Sequence, residues 1–201
     1  MNHPSSRLSN HILITLITIL CISNLRTTSG CTRAKPNPVY KTFIRKACNT
    51  TGFPILCRST LYPYASRIKN DTVRLCNVSL SLTLNSTRHA YLTTSKVPKQ
   101  IKLTHREVAV VKDCIENIDD AVYELRRSLH SMKLLGGKDR EFQISNIQTW
   151  VSAALTDEDT CLEGFTEQKV RLKVKNRIKK SVVKVSRMTS NTLAFINSLT
   201  Y

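Results

Sequence analysis

Acidic residues are scarce in this chain: 14 Asp and Glu stand against 31 Lys and Arg over 201 residues, a formal net charge of +17. Glycine is scarcer still, with five, and the pair Gly136-Gly137 lacks the further glycines and the lysine that a phosphate-cradling loop needs. There is no GxSxG elbow, no HExxH and no convincing acid pair on a strand-rich scaffold, which removes the common hydrolase chemistries. His89, His105 and His130 are scattered, and a lone helical histidine is far more often structural than a ligand. No catalytic residue, metal or cofactor is therefore expected. The C-terminus LAFINSLTY is neither a retention signal nor a lipid-anchor tail.

The chain has one long apolar run and no second. HILITLITILCI (11–22) follows Arg7 and precedes small residues, the layout of a secretory signal, and is too short to span a bilayer. Cleavage after Gly30 or after Ala34 fits the small-x-small rule. The expected organisation is a leader over 1–34 and a single secreted domain over 35–201, with no membrane partner. Removing 1–34 takes away Arg7, Arg26 and Arg33 and no acid, so 17 − 3 leaves +14. Four N-x-S/T sequons, at Asn49, Asn70, Asn77 and Asn85, are candidate glycosylation sites and agree with secretion.

The excess charge favours an anionic partner. The run KVRLKVKNRIKK (169–180) would suggest nucleic acid in a nuclear protein, but a signal peptide argues against that partner. A solvated helix face or adhesion to an anionic polymer fits better.

Cys48 and Cys57 bracket a Thr, Gly and Pro turn, and in an oxidising compartment a disulfide is the default reading. A loop of that length is worth roughly 3 kcal/mol, enough to hold a short helical hairpin over 35–68. No CxxC or HxxxH partner supports zinc.

The remaining segments read as helices. Residues 71–96 alternate locally with period two in VSLSLTL, yet no partner strand follows, and Leu75, Val78, Leu82, His89 and Leu92 can share one helical face. Cys76 on this helix reads as a buried or semi-buried lone thiol. From 104 to 137, Val111, Ile115, Ile118, Val122, Leu125, Leu129 and Met132 recur at steps of four and three, with Thr104 and Glu107 spaced as a capping box and Gly136-Gly137 as the stop. Ile144, Ile147, Val151 and Ala154 begin another helix that should run to about Phe165, and its small residues in SAAL permit close approach of a neighbour. Val174, Ile178, Ser181, Val185, Met188, Thr192, Phe195 and Leu199 carry the last, which has nine Lys or Arg and no acid between 169 and 187. The expected fold is all-α, an antiparallel four-helix bundle over 69–201 preceded by the stapled hairpin. Asp157, Glu158 and Asp159 are adjacent, so they point in different directions around a helix and should be mostly solvated or locally paired.

Four blocks of residues, in order, resemble the plant pectin methylesterase inhibitor and invertase inhibitor family. The hairpin's Ile44, Cys48, Thr51, Phe53, Pro54 and Cys57 are similar to that family's I-x3-C-x2-T-x-[YF]-P-x2-C. Asp113, Cys114, Glu116, Asp120, Ala121, Leu125 and Ser128 follow DC-x-E-x-Y-x-DA-x3-L-x2-S, with Ile118 in place of the usual tyrosine. Trp150, Ser152, Ala153, Ala154, Leu155, Thr156, Thr160, Cys161 and Phe165 follow W-x-SAALT-x3-TC-x-D-x-F, with Glu163 in place of aspartate, and Ser190, Asn191, Leu193 and Ala194 resemble SNALA.

The resemblance implies a four-helix bundle with disulfides Cys48 to Cys57 and Cys114 to Cys161. It implies a protein that does no chemistry but forms a one-to-one complex with a target enzyme in the apoplast or cell wall. The connection LLGGKDREFQIS lacks the Pro-Lys-Phe motif frequent in invertase inhibitors, which favours pectin methylesterase over acid invertase as the target. Exposed residues of the paired helices, namely Glu116, Asn117, Asp120, Thr149 and Ser152, are the expected contacts. The basic last helix is expected to associate with anionic pectin. A helical cytokine has the same gross physics, but the four blocks argue against it.

Overall fold

The structure, a computed structural model, describes residues 37–167 and 169–199. The leader expected over 1–34, with its two cleavage sites, lies outside the described residues.

The hairpin comes first. Helix α1 (Pro38–Asn49) begins with Pro at its first turn and Asn37 as cap, whose Oδ1 accepts from the Val39 N–H at 2.9 Å. Helix α2 (Pro54–Leu61) also starts on proline, and Cys48 is bonded to Cys57 across the turn between them. Asn191 of the last helix holds that turn from both sides: its Oδ1 accepts from the Phe53 N–H at 3.0 Å and its Nδ2 donates to the Phe53 carbonyl at 3.1 Å. One amide thereby satisfies the free Phe53 N–H and shares the Phe53 carbonyl with the Cys57 N–H of α2, which donates to it at 2.9 Å. A 3-10 turn (Tyr62–Tyr64) and the short α3 (Ala65–Ile68) lead out, ending at Lys69 with φ of 56°.

Four long helices follow: α4 (Thr72–Ser95), α6 (His105–Lys133), α7 (Arg140–Glu167) and α8 (Leu172–Asn197), with the short α5 (Val97–Gln100) between the first two. Each packs on the next, and α8 returns to α4, so the bundle is a square of antiparallel neighbours. Among the described residues there is no strand. At the head of α6 the Thr104–Glu107 capping box is formed on both sides. Gly137, with φ of 71°, takes the left-handed turn between α6 and α7.

The buried faces are wider than the narrow seams read from spacing. On α6, Val110, Cys114, Ala121 and Ser128 are buried beside Val111, Ile118, Val122, Leu125 and Met132, whereas Ile115 and Leu129 are half-buried. A helix in a square must cover two neighbours, here α4 and α7, and a single seam covers one. On α8 the same geometry buries Val182 and leaves Ser181 half-buried.

Helix α4 is oriented differently from the face expected for it. Leu75 and Val78 are buried, but Leu82 is half-buried and His89 and Leu92 are exposed; the inner stripe is instead Ser79, Thr83, Thr87, Ala90 and Thr94. The hydroxyls of Ser79, Thr83 and Thr87 tolerate burial because they bond one another's groups and Thr192, whereas Thr94 Oγ1 is buried without a partner. Ser79 Oγ and Thr83 Oγ1 meet Thr192 Oγ1 of α8 at 2.6 and 2.9 Å, and Thr87 Oγ1 donates to the Thr83 carbonyl at 3.0 Å. Thr192→Val keeps the volume but orphans Ser79 and Thr83, so it should cost about 2 kcal/mol in urea-induced unfolding.

Cys76 is fully buried, and burial pushes its thiol up to about 12, which leaves it protonated and unreactive.

Candidate docking face

Helices α6 and α7 form the most intimate pair, and their register is fixed by the bond between Cys114 and Cys161, whose Cα atoms are 4.3 Å apart. Because the helices run antiparallel, residues further along α6 meet residues further back on α7. The outer surface of the pair is therefore one continuous strip with the bridge near one end.

Over the bridge lies an open groove of about 400 Å³, its walls set by Arg106, Asp113 and Asn117 on α6 and Thr160, Glu163 and Glu167 on α7. Further along, Asp157 faces Asp120 and Glu124 across the helix pair. Partial burial, then the Asp120 and Glu124 charges, raise its carboxyl to about 6. At the far end the Arg127 guanidinium sits 4.2 Å from the centre of the Trp150 ring and 5.4 Å from that of Tyr123, with Glu124 Oε1 at 3.5 Å. Tyr123 is 54% exposed, an aromatic displayed to solvent beside a flat cation. This composition of aromatic and arginine with flanking carboxylates suits a protein surface better than a small-molecule pocket.

The expected contact residues divide. Asn117 lines the groove, half-buried, with its Nδ2 donating to the Asp113 carbonyl at 2.8 Å, and Asp120 stands exposed beside Asp157. Glu116 is exposed and paired to Lys112 at 3.5 Å, one turn back on α6. Thr149 is exposed next to Trp150. Ser152 is exposed too, about 140° around the helix from Asp157 but only about 20° from Glu163 of the groove wall. Spacing did not single out Arg127, Trp150 and Tyr123 as a group, because their meeting depends on inter-helix register.

The three adjacent acids have three fates. Asp157 belongs to the strip, and Asp159 accepts from Ser186 Oγ on α8 at 2.7 Å. Glu158, expected to be solvated or locally paired, is instead completely buried, with Oε1 in hydrogen-bond contact with Thr87 Oγ1 at 3.2 Å and Oε2 unpartnered. Burial raises its carboxyl to about 8, offset in part by the Thr189 and Thr87 hydroxyls, so it is protonated in mild acid.

A different carboxylate ties the bundle's end. Glu107, 1% exposed, accepts from Arg171 at Nε (2.8 Å) and Nη2 (2.6 Å) and from the backbone N–H groups of Thr104 and Arg171. These bonds, the arginine's first, hold its carboxyl at about 2. Among the described residues no group of three or more His, Cys, Asp or Glu could hold a metal ion, and no helix is long and apolar enough to cross a membrane.

The family model described as plant invertase/pectin methylesterase inhibitor matches residues 42–195, from the hairpin to the end of α8. The chain belongs to that family. It is similar to pectinesterase inhibitor 4 of Arabidopsis thaliana, 38% identical over 189 residues that span 91% of this chain and 93% of that protein. It is equally similar, at 38% over 159 residues, to the 21 kDa protein of Daucus carota, with 78% of this chain and 82% of that one covered. In fold it matches the crystal structure of mutant form A of a pectin methylesterase inhibitor from Arabidopsis, with a TM-score of 0.58 at 18% identity over 75% of this chain and 92% of that one. As a member of an inhibitor family the protein is not a catalyst.

Proposed function

We propose that this inhibitor is secreted and acts on plant pectin methylesterase, docking one-to-one over the substrate cleft with its α6–α7 strip and so excluding methyl-esterified pectin. Residues 1–34 are its leader, and 35–201 its single domain, with 35–68 as hairpin and 69–201 as bundle. The observation that carries the reading is the strip itself, on a chain whose relatives along nine-tenths of its length are named pectinesterase inhibitors. Two long helices bonded at Cys114–Cys161 present Asn117, Asp120, Tyr123, Arg127 and Trp150 on one rigid surface, and a rigid surface loses little entropy on binding. The absence of Pro-Lys-Phe ahead of α7 favours the esterase over invertase. Asn49, Asn70 and Asn85 are exposed and Asn77 half-buried; none of these sequons falls on the strip, so glycans on them leave it open.

Titrating the purified protein in parallel against a plant pectin methylesterase and an acid invertase separates the two targets. The esterase should be inhibited at one equivalent and the invertase not. Asp120→Lys should weaken esterase inhibition by about tenfold or more, since a reversed charge within an interface is far costlier than one at its rim, whereas Lys180→Glu on α8, across the bundle, should change it little. Equal inhibition by a folded Asp120→Lys protein removes the strip from the contact, and inhibition of invertase alone reverses the choice of target.

A further inference from the structure

Charge is segregated in this molecule. Between Glu107 and Glu167, 13 of the chain's 14 acids stand with six Lys or Arg; between Lys169 and Arg187, nine Lys or Arg stand with no acid. Within α8 the cations are themselves ordered. Lys173, Arg177, Lys180, Lys184 and Arg187 recur at steps of four, three, four and three, the rhythm of the core seam displaced by one residue, about 100° around the helix, and all five are exposed. At 1.5 Å per residue they form a stripe ~21 Å long. None has a carboxylate within ion-pair distance among the described residues: Arg177 donates to Gln100 Oε1 and Arg187 lies over the Phe53 ring.

The stripe leads into a groove. Helix α2 overhangs α8 and leaves, between itself and α4, an open cleft of about 630 Å³ with Lys184 and Ser181 on its floor, Tyr64 on one wall and Leu82, Asn85 and His89 on the other. A second lobe of about 420 Å³ adjoins it, bounded by Leu56, Lys179, Lys180 and Arg187. Neither lining contains a carboxylate. Both lie across the bundle from the α6–α7 strip, since α8 and α4 are neighbours on the other side of the square.

We propose that this stripe and cleft are a binding site for a linear polyuronate, a chain of sugar rings each bearing one carboxylate, as in de-esterified pectin. The inference takes from the proposed function only that pectin is the surrounding polymer. Lysines are compact point charges suited to single carboxylates spaced along a chain, whereas closely spaced phosphates favour arginine forks. Three of the five stripe cations are lysine, as are three of the four cations in the two lobes. The ring of Tyr64 and the side chain of Leu82 supply flat apolar surface for the C–H faces of sugar rings, and Ser181 and Asn85 supply hydrogen bonds for hydroxyls. An array of unpaired cations opposite a polyanion releases counterions on binding, so affinity should fall steeply with salt.

The test measures binding to immobilised polygalacturonate over a salt series, with the full protein before and after N-glycan removal, because Asn85 heads a sequon on the cleft wall. Lys173→Gln/Lys180→Gln/Lys184→Gln is compared with Lys133→Gln/Lys138→Gln/Arg140→Gln, which removes the same charge from exposed positions at the α6–α7 turn. The stripe variant should bind about tenfold more weakly or worse, with a shallower salt slope, and the control variant nearly as well as wild type. Highly methyl-esterified pectin should not bind, and poly-L-glutamate, a carboxylate polymer without sugar rings, should bind more weakly than polygalacturonate. Equal losses in the two variants would reduce the effect to net charge and overturn the site, as would equal affinity for polyglutamate. Both variants should inhibit the esterase as wild type does. A wild-type protein that binds polygalacturonate but inhibits no esterase refutes the proposed function while leaving this site standing.

Discussion

Wild-type protein should unfold at markedly lower urea concentration at pH 8 than at pH 5, and Glu158→Gln should remove most of that difference. Glu158 has an ordinary carboxyl pKa near 4.5 in the unfolded chain and about 8 when folded. Between those values the unfolded state gives up a proton that the folded state keeps, so stability falls as pH rises through the window and is flat above it. For a fully buried group the loss is on the order of 5 kcal/mol at the top of the window. Asp157, raised to about 6, adds to the same trend over a lower range. Glutamine keeps an acceptor for the Thr87 hydroxyl and cannot ionise, so the variant should be nearly level from pH 5 to 8 apart from the Asp157 contribution. Glu107 acts in the opposite sense. Its carboxyl is held at about 2 in the folded state, so its contribution is present above 4.5 and lost as pH falls toward 2. The two buried glutamates thus bound the stable range from either side, and the maximum should lie between about pH 4 and 5. A profile that rises from pH 5 to 8 would mean that Glu158 ionises at little cost, and with it the buried placement would fail.

The second large effect is expected from the bridge between α6 and α7. Cys114→Ala/Cys161→Ala opens a loop of 47 residues, for which the chain-entropy model gives a loss of roughly 4 kcal/mol. At ~2–4 °C per kcal/mol for a domain of this size, thermal unfolding should come about 8–16 °C earlier. Cys48→Ala/Cys57→Ala opens a loop of only nine residues and should cost less, roughly 3 kcal/mol. The comparison is the informative part. If the short loop proves the costlier to open, the hairpin's docking through Asn191 governs stability in place of chain entropy. Inhibition provides a second readout, because the α6–α7 variant frees the register of the strip and the hairpin variant does not touch it.

Helices α6 and α8 were legible because their apolar residues repeat at steps of four and three, and the Thr104–Glu107 cap could be read from two letters. Helix α4 was legible as a helix but not in its orientation. Ser79, Thr83 and Thr87 also repeat at steps of four, and a count of apolar residues passes over hydroxyls that a buried partner such as Thr192 makes welcome. Glu158 carries a similar lesson. Val151, Ala154, Glu158, Cys161 and Phe165 continue the seam at steps of three and four, so position argued for burial while residue type argued against it, and position prevailed. What no spacing conveys is register across helices: the stacking of Arg127 on Trp150, the approach of Asp157 to Asp120 and the reach of Arg171 to Glu107 each depend on how far one helix has slid along another. The family resemblance fixed part of that register by implying the Cys114–Cys161 pair. The candidate contacts near that pair, Asn117 and Asp120, fall on the strip.

The separation of acids on α6 and α7 from cations on α8 gives the molecule a permanent dipole as well as a net charge. A net charge draws a protein toward a negatively charged matrix; a dipole also exerts a torque that turns it as it approaches. Against a polyanionic surface such as the proposed polyuronate, that torque would turn α8 toward the polymer and leave the α6–α7 strip facing away from it. A variant with the same net charge but its lysines scattered would be held as strongly and would present every side equally often.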